Sequence, residues 1–132
     1  MVSEAEEIDR VVPVIEAIRA NLDVGISVDT SKSGVMRAAV AAGADMINDV
    51  RALGREGALE AAAATGLPVC LMHMLGDPGT MQAHPHYDDV VANIKSFLAG
   101  AAERAVSMGV SRDRLVIDPG IGFARCGFWL AL

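Results

Sequence analysis

Apolar residues recur at three- and four-residue steps near the start of the chain, at Ile8, Val11, Val12, Ile15 and Ile18. That spacing lines one side of a helix and predicts an amphipathic helix from about Ser3 to Ala20. Ser3 and Glu6 have capping-box spacing at its start. Pro13 has no N–H to give the carbonyl of Asp9, so a kink is expected there. The pattern then changes: Val24 to Val28 is a short apolar run ending at Asp29-Thr30, and it reads as a strand. Ser31 or Ser33 would cap the following helix, whose inner face is Val35, Met36, Ala39 and Val40 and whose end is Gly43. A second strand runs through Met46-Ile47 into Asn48-Asp49, followed by an alanine-rich helix from about Glu56 to Thr65. Pro68 opens a third strand, "LPVCLMHM", at the one position where a strand tolerates it. Beyond the loop "LGDPGTMQAHPHY" lies the longest helix, about Asp88 to Met108, with Val90, Val91, Ile94, Phe97, Leu98, Ala101 and Ala105 on its face. Leu115 to Ile117 is the fourth strand, and "DPGIGF" follows it.

The order is helix, then strand and helix three times, then strand. Strands that are apolar throughout are buried on both faces, which predicts an α/β fold with a parallel sheet. All four strands then end on polar groups: Asp29-Thr30, Asn48-Asp49, His73 and Asp118. Taken singly, each also fits a helix cap or a turn. Taken together they fall on the edge of a parallel sheet where ligands bind. Asp29, Asn48 and Asp118 suit a ligand edge rich in N–H donors, because carboxylates accept paired hydrogen bonds and asparagine both gives and receives. The alternation Met72-His73-Met74 puts both methionines on one face and His73 on the other. Met72 then reads either as core or as a support for a flat ring.

Other chemistries lack their patterns. There is no G-x-G-x-x-G, no P-loop and no G-x-S-x-G elbow. His84 and His86 flank Pro85 without further Cys or His at ligand spacing, which argues against a metal site. Cys70 reads as core packing. Composition narrows the field further. Hydrophobic residues are 52% and charged residues 21% of the 132, a globular balance. A net charge of −6 argues against a nucleic-acid or anionic-membrane surface, and aromatic residues at 4% are too few for a base-stacking platform. The acidic start "MVSEAEEIDR" is unlike a signal peptide, and the two cysteines suggest no disulfide framework, so a cytoplasmic setting is expected.

The segments "ISVDTSK", "INDVRAL", "GLPVCLMHMLGDPGTMQ", "YDDV" and "LVIDPGIGF" resemble, in order and spacing, dihydropteroate synthase, the folate-pathway transferase inhibited by sulfonamides. The resemblance runs from near Glu4 to Phe123. It implies a (β/α)₈ TIM barrel that condenses 6-hydroxymethyl-7,8-dihydropterin pyrophosphate with p-aminobenzoate to give 7,8-dihydropteroate. A barrel takes about 250 residues, so a partial barrel is expected here, with about four parallel strands resembling the third to sixth. Residues 1–123 would form an incomplete pterin-binding domain and 124–132 a divergent tail.

Carried over by position, Asp29, Asn48 and Asp118 match the polar residues of the family's pterin pocket. Met72 matches the residue packed on the ring, Val50 the strand end beside it, and Phe123 the aromatic near the aminobenzoate. The family's chemistry is dissociative, and the resemblance gives Asp29 an electrostatic role toward the pterin-methylene cation. The family's magnesium-binding asparagine and its phosphate-binding loops have no counterpart in this chain. Mg²⁺ is therefore expected only with the full-length enzyme, the metal site is expected to be absent from this fragment, and the fragment is not expected to be catalytic alone. The full-length family is homodimeric, and open sheet edges predict self-association for the fragment. The alternatives are a methyltetrahydrofolate-type methyltransferase fragment and a non-catalytic pterin-binding module.

Overall fold

In the computed structural model, which describes residues 2–74 and 89–121, helix and strand alternate as the periodicity predicts. The elements are α1 (Glu4–Asn21), β1 (Ser27–Asp29), α2 (Ser33–Ala42), β2 (Met46–Asp49), α3 (Ala58–Thr65), β3 (Val69–Met72), α4 (Val90–Ser107) and β4 (Leu115–Asp118). The four strands form one parallel sheet in the order β1-β2-β3-β4. Sequential order with a helix between each pair of strands is the arrangement in which the sheet curls in one direction and keeps one face for the helices.

That face holds the core. Val28, Ile47, Val69 and Leu71 project from the strands and are buried among Ile15 of α1, Met36 and Ala39 of α2, Ala58, Ala61 and Ala62 of α3, and Ala101 and Ala105 of α4. Alanine at the contact points of α3 brings its backbone close to the sheet, and the short side chains lose little entropy in the helix. Helix α1 packs on α2, and α2 on α3. Arg19, near the end of α1, donates to the carbonyls of Gly43 and Val24 and pairs with Asp45, joining α1 to the loops that enter β1 and β2.

Several local expectations change. Helix α1 runs from Glu4 to Asn21 as one element through Pro13. Only half of the capping box forms: Ser3 Oγ accepts from the Glu6 N–H at 3.2 Å, while the Glu6 carboxylate pairs with Arg10. Neither Ser31 nor Ser33 caps α2. Lys32 occupies the cap position with no side-chain cap bond. The Gly34 N–H instead donates to the Glu4 carboxylate of α1 at 2.8 Å, a negative group placed at the positive end of a helix. Helix α3 starts at Ala58 and not Glu56, because Gly57 takes the cap position with φ 72°, outside helical geometry. Among the described residues no helix is long and apolar enough to cross a membrane.

Candidate functional site

The register of the sheet sets the site. Asp29 lies opposite Asn48, Asn48 opposite Cys70, and Cys70 opposite Val116, in one row across four strands. Two residues further along, Met72 lies opposite Asp118. Side chains alternate between faces along a strand and agree across a row. Asp29, Asn48, Cys70, Met72, Val116 and Asp118 therefore share the face turned away from the helices. Four of the residues singled out from the sequence are brought together here, and Val50 stands half-buried in the turn just past β2.

Asn48 hydrogen-bonds the Asp29 side chain, and its carbonyl accepts from the Thr30 N–H at 3.0 Å. Desolvation pushes the Asp29 carboxyl above its ordinary value, against the Asn48 hydrogen bond, and repulsion from Asp49 and Glu7 adds to the rise. Met72 is 2% exposed. Asp118 is half-buried, and its Oδ1 accepts from the Gly120 N–H at 2.7 Å. That bond uses one of about four lone-pair sites on the carboxylate and leaves the others for a ligand.

Cys70 is buried, as its reading as core packing expects, and it stands in the row with Asn48 on the face away from the helix-side cluster. Burial pushes its thiol pKa up, and the nearby Asp118 and Asp29 charges push it further. At neutral pH it is a thiol and a weak nucleophile.

Behind this face lie two residues whose part was not foreseen. Asp49 follows Asn48 and so points the other way, where it is 0% exposed. Its carboxylate accepts from Ser31 Oγ and, at 2.9 Å each, from the N–H groups of Arg51 and Leu53. It holds a turn in which Ala52 and Leu53 both take positive φ, 49° and 60°. Such conformations cost non-glycine residues on the order of 1–3 kcal/mol each and persist only where the surroundings impose them. Close by, Glu7 of α1 accepts from Thr30 Oγ1 and pairs with Lys32. His73 follows Met72 and is likewise buried on the helix side, its ring edge-to-face with Phe97 of α4 at 5.0 Å between centroids.

Two carboxylates, an amide and a thioether converging on one face can take a flat, N–H-rich heterocycle: the carboxylates and amide on its edge, the sulfur on its ring. Phe123, His84 and His86 lie outside the described residues. Among the described residues no three His, Cys, Asp or Glu side chains gather where they could hold a metal ion.

Known proteins resemble the chain in sequence and in fold. The chain is 52% identical over 124 residues to the dihydropteroate synthase of Escherichia coli strain K12, covering 94% of this chain and 44% of that protein. A crystal structure of the Yersinia pestis dihydropteroate synthase with a sulfonamide drug complex is 54% identical and superposes with a TM-score of 0.90, over 93% of this chain and 45% of that one. The Xanthomonas albilineans dihydropteroate synthase in complex with 7,8-dihydropteroate is 51% identical with a TM-score of 0.84, over 94% and 44%. The fold is thus α/β, a partial (β/α)₈ barrel of four parallel strands, and the chain spans less than half the length of these relatives. The family profile described as pterin binding enzyme matches residues 1–127, and the chain belongs to that family.

Proposed function

We propose that this chain is the pterin-binding part of a dihydropteroate synthase, the transferase that joins 6-hydroxymethyl-7,8-dihydropterin pyrophosphate to p-aminobenzoate. The observation that carries the reading is the convergence of Asp29, Asn48, Met72 and Asp118 on one sheet face, in two successive rows. Residues 1–123 are assigned to the pterin-binding unit and 124–132 to a divergent tail, although the family profile runs on to residue 127.

The 2-amino and N3–H edge of a pterin resembles a guanidinium face, and Asp118 meets it with two parallel charge-assisted hydrogen bonds. Asn48 reads the same ring with its amide, held in place by its contact with Asp29. Met72 lies against the ring plane and Val50 borders it. In the reaction the C–O bond to pyrophosphate breaks and the electron pair leaves with the pyrophosphate. The p-aminobenzoate nitrogen then bonds to the exocyclic methylene and releases a proton to solvent. Anionic Asp29 stabilises the positive charge between these steps, a preorganised electrostatic role that needs no proton transfer.

Phe123 borders the aminobenzoate, where sulfonamides compete, as the family resemblance implies. Magnesium is assigned to the full-length enzyme, as the family resemblance implies, and this chain's own part in the chemistry is pterin recognition and charge stabilisation. The subunit association of the family and a cytoplasmic location are part of the same proposal.

Titration of the chain with 6-hydroxymethylpterin, followed by the pterin's fluorescence, tests the reading. Asp118→Asn gives up the charge of both anchor bonds and is expected to weaken binding about 100-fold, or roughly 3 kcal/mol. A folded chain with no affinity for the pterin, or an Asp118→Asn variant that binds as well as wild type, overturns it. Binding of methyltetrahydrofolate alone would favour the methyltransferase alternative.

A further inference from the structure

The pairing of β1 with β2 does not stop at Asp29 and Asn48. One residue further on, the Thr30 N–H donates to the Asn48 carbonyl at 3.0 Å, so the last rung lies directly beside these two pocket residues. What stands behind that rung comes from α1. The Thr30 side chain is buried, and its hydroxyl donates to Glu7 Oε1 at 2.5 Å. Thr30 Oγ1 also accepts from the Lys32 N–H at 3.2 Å, and Lys32 Nζ donates to Glu7 Oε2. The same ammonium group donates to the carbonyls of Val2 at 2.6 Å and Ser3 at 3.3 Å. Three residues before Glu7, the Glu4 carboxylate accepts from the Gly34 N–H. Side chains from both partners therefore fasten the start of α1 to the loop that leaves β1.

We propose that Glu7 is a positioning residue for pterin recognition, holding the Thr30 hydroxyl from behind and so fixing the end of β1 where Asp29 and Asn48 face the ligand. The inference rests on the pterin reading above. It gives α1, which carries none of the pocket residues named so far, a defined part in binding. Exposure separates this contact from the other ion pair on the same helix. The Glu7 and Lys32 side chains are 22% and 15% exposed, whereas Glu6 and Arg10 are 50% and 64% exposed. A pair open to water contributes little, while removing one partner of a shielded pair strands the other. Burial works against ionisation of Glu7, but the hydrogen bonds from Lys32 and Thr30 outweigh it and hold its pKa below the ordinary value. Glu7 is therefore a carboxylate at neutral pH, and a charged acceptor makes the stronger bond to a hydroxyl.

The test compares the wild-type chain with Glu7→Ala, Glu7→Gln, Thr30→Val and the double variant Glu7→Ala/Thr30→Val. Glu6→Gln controls for loss of a charge on the same helix. The readouts are the dissociation constant for 6-hydroxymethylpterin and amide hydrogen exchange at Thr30. The Ile47 amide, bonded to the Pro68 carbonyl at 3.0 Å inside the sheet, reports on the fold itself. Glu7→Ala should weaken pterin binding by about 10-fold and speed Thr30 exchange by a similar factor, well beyond any change at Ile47. Glu7→Gln keeps an oxygen for the hydroxyl and should stay within about 3-fold of wild type. Thr30→Val removes the hydroxyl, leaves α1 and its ion pair in place, and should match Glu7→Ala, which covers the case of a Glu7→Ala chain that does not fold. The double variant should lie within about 3-fold of either single one, because both remove the same bond. Glu6→Gln should bind like wild type.

Wild-type binding and wild-type Thr30 exchange in Glu7→Ala or in Thr30→Val overturn the proposal. So does a glutamine variant as impaired as the alanine one, a double variant whose loss is the sum of the two single losses, or an Ile47 amide that accelerates as much as Thr30. If the wild-type chain does not bind the pterin, it is the functional reading that falls. Thr30 exchange then still decides whether Glu7 fixes the end of β1.

Discussion

The two halves of the site are held by different physics. On the β1–β2 side, the residues behind the face are polar and tied side chain to backbone: Asp49 accepts from Ser31, Arg51 and Leu53, and Glu7 from Thr30. On the β3–β4 side the support is a ring edge, the backbone bond from the His73 N–H to the Asp118 carbonyl, and a glycine with no room for a side chain. A hydrogen-bonded network tolerates small movements only while every partner stays satisfied, and it fails steeply when one is lost. A steric contact fails in the other direction, when atoms are added. Asp29 and Asn48 should thus be sensitive to deletion behind them, and Asp118 to insertion.

The largest effect should follow Asp49→Ala. It removes an acceptor that serves three donors and frees a turn with two positive-φ residues. A loss of about 3 kcal/mol in urea unfolding is expected, with Asp49→Asn recovering part of it. A cost under about 1 kcal/mol would mean that the network does not hold this half.

Next comes Gly120→Ala. The added methyl meets the His73 carbonyl, and the left-handed conformation costs alanine a further 1 kcal/mol or so. Together these should lower stability by about 2 kcal/mol and pterin affinity by about 10-fold. An alanine variant that unfolds and binds like wild type would remove the steric half of the comparison.

The smallest effect is in pH. Burial lowers the His73 pKa, so protons bind the unfolded chain more readily. The stability this histidine contributes is present above the ordinary histidine range near 6.5, and is lost as pH falls through it. Desolvation raises the Asp29 pKa, so its contribution has the opposite sense. It is present below the ordinary aspartate value of about 3.9 and lost as pH rises through the folded value. Urea midpoints measured across both windows should flatten near pH 6.5 only in His73→Phe and near the lower window only in Asp29→Asn. The same change in both variants would erase the distinction.

Much of this frame was legible in the residues. The helical period placed α1, α2 and α4, and the apolar runs placed all four strands, because burial on one or two faces writes itself directly into spacing. Asp29, Asn48 and Asp118 were legible as a set because polar groups gather at the strand ends, and Met72 joined them through the family resemblance. What was not legible depends on contacts far apart in sequence. The donor at the start of α2 is served by Glu4, thirty residues earlier, so a search for a local serine cap failed. Cys70 was legible as buried but not by face, because apolar runs do not say which face is which until the register is known. Alternation put His73 on the face opposite Met72, and the same step from Asn48 could have flagged Asp49. Their partners at Ser31 and Phe97 appear only once strands and helices are packed.

The contact between Gly120 and the His73 carbonyl also bears on the timing of recognition. A turn with no space to rearrange offers its carboxylate in one orientation before any ligand arrives. The fraction of molecules competent to bind is then close to one, and encounter is not slowed by waiting for a rare arrangement. Under that condition, ligand analogues that differ at the edge facing Asp118 should associate at similar rates. Their affinities would be separated by how long each one stays.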